Sequence, residues 1–321
     1  MKSLGRSIAI ALAGALVATA AIAQPYPSQT IRMIVPWPAG GTTDVIARLL
    51  AQNLTAELDQ TVFVENIGGT GGNIGTQRFV RTKPDGYTLL MASSSTNAAN
   101  PHLYKSLGFE PIKDFSPIAL VALVPSVMVV GAESPLKSVS DLLNADRARP
   151  GKVFYASAGV GSSAHLAGEL LRNLTKIGAT HVPYKGIAPA MVDVMSGRVD
   201  YTFDTGVSSN IETGKVRAIA IAAPARVQML PQVPTFDELG IKGMHMNVWF
   251  GIAGPANLPK DVAGRLNAAV NTSLTKGNLP QRLVKLGSDA RPMALDAFNE
   301  FWRSEIGRYA EIVRLSGATL D

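Results

Sequence analysis

The chain contains no cysteine. That excludes a disulfide framework, a thiolate metal site and a cysteine nucleophile together. Histidine is scarce too, and the four present (His102, His165, His181 and His245) show no metal-ligand spacing. Lys and Arg number 30 against 24 acids, for a formal charge of +6, and the cations are scattered singly. Without a basic run there is no footprint for nucleic acid, and the mild positive surface favours small anions only weakly. Phosphate loops are missing as well. Neither Gly-Lys pair, Gly151-Lys152 or Gly214-Lys215, has the earlier glycine that a Walker loop needs. "GVGSSA" (Gly159, Gly161, Ala164) matches a dinucleotide fingerprint in form. About 20 residues on, however, "ATHVPYKG" offers no acid to grip a ribose. No cofactor and no metal are expected.

Long apolar runs are confined to the N-terminus. Lys2 and Arg6 form a basic start, "SIAIALAGALVATA" (Ser7 to Ala20) is too short to span a membrane comfortably, and "AIA" ends at Ala23. This is the pattern of a secretory signal peptide over residues 1–23, cleaved after Ala23. No later segment reaches the roughly 18 uninterrupted apolar residues of a membrane helix. The leader has no twin arginine and no lipid-anchor cysteine comes after it, so the expected location is the periplasm.

The rest of the chain repeats one pattern: a β-rich stretch, a Gly/Ser/Pro loop, then helical spacing. "TIRMIVP" leads into "TTDVIARLLAQNLTAELD", where Ile46, Leu50 and Leu54 recur at i+4. "TVFVENI", "YTLLMA" and "VFYASA" lead likewise into "GGTGGNIG", "SSSTNAANP" and "GVGSS". Strands alternating with helices imply an α/β fold with parallel-rich sheets. Two stretches read as crossings between sheets: "FSPIALVALVPSVMVV", broken at Pro125, and "KVRAIAIAAPARVQMLPQVPTF". They divide the chain into 24–124 (first part of lobe 1), 125–221 (an inserted lobe 2) and 222–321 (completion of lobe 1 and the C-terminal helices). Two lobes joined by two crossings make a hinged clamshell with its ligand in the cleft. In the last helix, Phe298, Trp302, Tyr309 and Val313 form a packing stripe, and Glu305 with Arg308 reads as a surface pair.

The loops at the strand ends carry the chemistry. A helix start offers unpaired N–H groups and the positive end of its dipole, so an anion docks there without a charged side chain. In "VPWPAGGTTD", Ala39 and Gly40 allow close approach, and Thr42 and Thr43 add hydroxyls. Gly71 and Gly72, Ser93 and Thr96, and Ser157, Gly159 and Ser162 supply further neutral donors at other strand ends. Trp37, held between two prolines, is either a cleft wall or a packed loop aromatic. Asp44 either caps its own helix or receives a ligand ammonium. Lys185 either pairs with a carboxylate or reaches solvent, and Asp204 ends a strand that delivers it to the cleft. Ser162 and His165 also raise a hydrolase reading. No G-x-S-x-G elbow is present, though, so Ser162 reads better as a helix cap and His165 as facing the cleft or a neighbour.

"YPSQTIRMIVPWPAGGTTDVIARLLAQNL", "VENIGGTGGNIG", "KPDGYTLLMAS", "FYASAGVGSSAHLAGEL", "HVPYKGIAPAMVDVMSGRVDYTFD" and "GKVRAIAIAA" closely resemble, in order, the tripartite tricarboxylate transporter receptors, or Bug proteins. The resemblance runs from about Tyr26 to the last helix. It implies a two-lobed periplasmic receptor of the Venus flytrap type, not an enzyme, that closes on a small carboxylate. Such a receptor acts as a monomer and hands its ligand to a membrane permease of two subunits, or serves as a sensor uncoupled from uptake. It further implies that Pro36 to Asp44 and Gly68 to Asn73 grip one carboxylate, partly through water. Ser157 to His165, Tyr184 to Gly186 and the neighbourhood of Asp204 would close from the other side. The chain departs from the family in having Trp37 for a frequent phenylalanine and Thr205 in "FDT" for a common "FDN". "ENIGGTGG" likewise replaces a frequent "ENRPGAGG". The ligand is therefore left open among di- and tricarboxylates, acidic amino acids and aromatic acids.

Overall fold

The protein is described by a computed structural model over residues 26–205 and 209–320. The expected leader and its cleavage after Ala23 lie outside the described residues. The first part alternates as the sequence predicts: β1 (Ile31–Val35), α1 (Thr42–Leu58), β2 (Val62–Asn66), α2 (Asn73–Val80) and β3 (Thr88–Ser93). Ile46, Leu50 and Leu54 on α1 are fully buried, which is what their i+4 spacing requires of one apolar face. "SSSTNAANP" is not an open loop: Ser95–Ala99 winds into a π-helical turn that runs into a short helix at Asn100–Leu103.

The middle begins with β4 (Phe115–Gly131). It continues through α3 (Val139–Ala148), β5 (Phe154–Ser157), α4 (Ser163–Thr175), β6 (Thr180–Pro183), α5 (Ile187–Met195), β7 (Tyr201–Thr205) and β8 (Val216–Ala222). The chain ends in β9 (Asn247–Pro255), α6 (Lys260–Thr275), α7 (Leu279–Lys285), the two-residue β10 (Asp289–Ala290) and α8 (Leu295–Ser316).

The strand order β2-β1-β3-β9-β4-β7-β5-β6 has β4 and β9 at its centre. Away from them the ladders are parallel, β1 with β2 and β3, and β5 with β6 and β7. β9 is antiparallel to β3 and β4, and β4 is antiparallel to β7 and β8. The reason is geometric: one chain that crosses over and another that crosses back run in opposite directions.

β4 is a single strand of 17 residues, not interrupted at Pro125. Up to Pro125 it pairs with β9, and from Ser126 onward with β7 and β8. The proline lacks a donor, but it stands where the strand changes partners, so the ladder survives. The return crossing lies further along the chain than Ala222. Ile221 donates to the Pro234 carbonyl, Phe236 to Ile221 and Met246 to Ala222. Val227, Leu230 and Val233 pack with Val127 and Val129. The chain stays with the second half until Met246 and crosses at Asn247.

α8 secures that crossing. Phe298, Trp302 and Tyr309 are buried, Trp302 lies 5.1 Å from Trp249 of β9, and the Tyr309 hydroxyl donates to the Asn247 carbonyl at 2.9 Å. Glu305 is not a surface residue. It is 7% exposed and takes Arg308 Nε at 2.6 Å, while Arg308 Nη2 also reaches the Asn247 carbonyl.

Candidate functional site

A cleft of about 370 Å³ opens between the two halves. From the first half it is lined by the loop from Trp37 to Thr43, by Ser93 and Ser95, and by Val248 and Phe250 of β9. From the second half come Ala158, the start of α4, the stretch Lys185 to Pro189, and Phe203 to Thr205 of β7. Three helix starts meet there. Gly41 caps α1, Ser162 caps α4 and Gly186 caps α5, and all three line the cleft.

The opening loop owes its shape to the residues behind it. Gly40 has φ +88° and its N–H donates to Asp44 Oδ2 at 3.0 Å. Arg48 Nε reaches the same oxygen at 3.0 Å, and Asn66 Nδ2 donates to Oδ1 at 2.9 Å. Asn66 also ties to the Trp37 carbonyl at 3.1 Å. Burial works against the Asp44 charge, yet the hydrogen bonds from Arg48, Gly40 and Asn66 outweigh it and hold the carboxyl below its ordinary range. Asp44 is therefore saturated within the protein and does not line the cleft. Gly41 has φ −82° with no side-chain cap on α1, and a Cβ there would meet open space. The first amides of α1 thus reach the cleft with no side chain in front of them.

Gly71 and Gly72 do not line the cleft either. They form a tight turn behind Trp37, where a Cβ on Gly72 would stand 2.3 Å from Thr96 and 3.5 Å from the indole. Thr96 points inward, its hydroxyl bonded to Asn97 Oδ1 at 2.6 Å and to Ser93. The π-helical turn presents Ser95 to the cleft instead.

In the second half, Ser162 caps α4 by accepting the His165 N–H, and its own hydroxyl donates to the Gly159 carbonyl at 2.7 Å. His165 lies behind the loop. Its Nδ1 accepts the Gly161 N–H at 3.1 Å and its ring stacks on His181 at 4.2 Å. Ser162 thus meets the backbone of His165, not its imidazole, so the hydrolase pairing is not assembled. Ser157 and Gly159 are also set back: Ser157 Oγ lies 2.6 Å from His181 Nε2, and the Gly159 N–H donates to Ser157 Oγ. Burial, followed by the neighbouring His165, pulls His181 down to about 4, and burial lowers His165. Both rings are neutral near neutral pH.

Lys185 is exposed at the rim of the cleft. Asp204 is buried where β7 ends, its Oδ1 accepting the Thr205 N–H at 2.9 Å. Thr42 Oγ1 donates across the cleft to the Thr205 carbonyl at 3.4 Å. Of the residues singled out from sequence, Trp37, Ala39, Gly40, Thr42, Thr43, Ser93, Ser162, Lys185 and Asp204 are brought together. The sequence reading missed Phe203, Val248 and Phe250, because apolar residues in strands look like core, and Ile187, an apolar residue that opens α5. Among the described residues no group of three acids or histidines is placed to hold a metal, and no helix is long and apolar enough to cross a membrane.

Residues 46–317 match the tripartite tricarboxylate transporter family receptor. The chain is 37% identical over 319 residues to BugT of Bordetella pertussis, covering 97% of this chain and 98% of that protein. Among solved structures it is similar to Rpa4515 of R. palustris with adipate, at 31% identity and TM-score 0.88, over 92% of this chain and all of that one. MatC from Rhodopseudomonas palustris with bound malate is 33% identical, with TM-score 0.83, over 90% of this chain and all of that one.

Proposed function

The chain belongs to the tripartite tricarboxylate transporter receptors, periplasmic solute-binding proteins, and we propose that it captures a small carboxylate in the cleft between its lobes. One lobe comprises residues 26–124 and 247–320, the other 126–246. The observation that carries the reading is the convergence of three helix starts, at Gly41, Ser162 and Gly186, on one cleft. Each brings unpaired amides and a partial positive charge that favours an anion. The contacts are made by the loop from Trp37 to Thr43, by Ser93, and by Ser162, Lys185 and Asp204. Asp44, Gly71, Gly72, Thr96, Ser157, Gly159 and His165 hold those segments in place from behind. Adipate and malate in the relatives support a carboxylate ligand.

The protein acts as a monomer after removal of residues 1–23, carries out no turnover, and docks transiently on a two-subunit inner-membrane permease. The test is thermal unfolding with a panel of organic acids, sugars and cations. At least one carboxylate is expected to raise the melting temperature by several degrees, as binding to the native state must. A response to a sugar or a cation with none to any acid overturns the reading. Ester, amide and phosphoester substrates are expected to be left intact; turnover lost in Ser162→Ala would instead make the protein a hydrolase.

A further inference from the structure

The carboxylate reading of this cleft leaves its substrate class open, and the lining narrows it. Lys185 and Asp204 are the only charged side chains among the described lining residues. Lys185 stands exposed at the rim, where water and salt screen it. The interior is apolar, with Phe203, Val248 and Phe250 buried beneath it and Trp37 as a half-buried wall. Asp204, the one ionisable side chain set in that interior, is an acid and so supplies no cation there.

Three of the lining hydroxyls already donate within the protein: Ser162 to the Gly159 carbonyl, Thr42 to the Thr205 carbonyl, and Ser93 towards Thr96, whose own proton is spent on Asn97. The donors left for an anion are the amides at the helix starts and the hydroxyls of Thr43, Ser95 and Ser163. Each helix start contributes roughly half a positive charge, so the three together come to about one and a half. That covers one carboxylate and falls short of two. A second would leave water for aromatic surface with no cation beside it, which is unfavourable.

In volume, 370 Å³ corresponds to roughly a dozen waters at about 30 Å³ each, room for an acid of about that many non-hydrogen atoms. We propose that the cleft selects an acid with a single carboxylate and an apolar body, which lies against Trp37, Phe203 and Phe250. This preference differs from the dicarboxylates seen with Rpa4515 and MatC.

The test compares hexanoate with adipate, which share a six-carbon chain and differ in a methyl against a second carboxylate; 3-phenylpropanoate adds an aromatic body. Each is titrated calorimetrically into the full mature protein, freed of co-purified ligand. Hexanoate and 3-phenylpropanoate are expected to bind at least tenfold more tightly than adipate. In Trp37→Ala the two monocarboxylates should lose about tenfold while adipate changes less than threefold, with unfolding measured to confirm that the variant is folded. Adipate binding as tightly as hexanoate, or more so, overturns this inference and leaves the carboxylate reading standing. Failure of all three acids, with a sugar binding instead, overturns both.

Discussion

Thr42 and Thr205 face each other across the cleft, the hydroxyl of one 3.4 Å from the carbonyl of the other. The bond links the first turn of α1 to the end of β7, two elements from opposite halves of the molecule. It therefore ties the two walls of the cleft to each other. Thr42→Val keeps the shape and removes the donor. A net hydrogen bond is worth about 1 kcal/mol, and this one is long, so affinity for the cognate acid should fall about two- to fivefold. Calorimetry measures it; unchanged affinity would show that this bond does not hold the cleft shut.

A site built from backbone amides responds to occlusion more than to loss of charge. Gly41 has an ordinary φ and open space where a side chain would go. Gly41→Val should therefore fold normally and weaken binding at least tenfold. Lys185→Ala removes only a rim charge, worth about 0–1 kcal/mol, and should cost less than fivefold. The opposite ranking in a titration would mean that a charged side chain does the gripping.

Asp44 serves the loop and not the ligand. Asp44→Asn deprives Arg48 of its charged partner and turns one amide against Asn66. The expected loss is about 1–3 kcal/mol of stability, read from urea denaturation, with weaker ligand binding as Gly40 is released. Because the folded carboxyl sits below its ordinary range, its contribution is complete above the unfolded value. It fades only as pH falls through the lower folded one.

His181 gives the fold an acid sensitivity at a milder pH. Its folded value of about 4 lies below the ordinary 6.5. Between these two values the unfolded chain takes up a proton that the folded one refuses. Stability is therefore complete above pH 6.5 and declines as pH drops towards 4, by up to about 3 kcal/mol. Tyr155 at 4.8 Å, His165 at 4.2 Å and Ser157 pack around the ring, with Glu169 and Arg172 close enough to act on its charge. His181→Gln should flatten the profile of melting temperature against pH in this window. An unchanged slope would assign the acid sensitivity elsewhere.

The opening loop was legible because a strand, two glycines and a run of capping residues occur in succession, and local chemistry dictates the turn. Asp44 was ambiguous because its partners Arg48 and Asn66 are distributed over a helix and a neighbouring strand. Thr96 was singled out and Ser95 overlooked because side-chain direction in a π-helical turn does not follow the ordinary helical period. His165 could not be placed, since its partner His181 is brought to it by strand pairing. The return crossing was drawn too early because the proline-spaced chain after Ala222 looks like a linker. In the structure, the Ile221–Pro234 and Met246–Ala222 bonds hold it to the second half.

The two crossing strands are not separate cords. Pro125 lies opposite Asn247, and the Ser126 N–H donates to the Met246 carbonyl at 3.0 Å, so the halves are joined by a laced ribbon. A hinge built this way bends as one piece, and neither crossing can yield without the other.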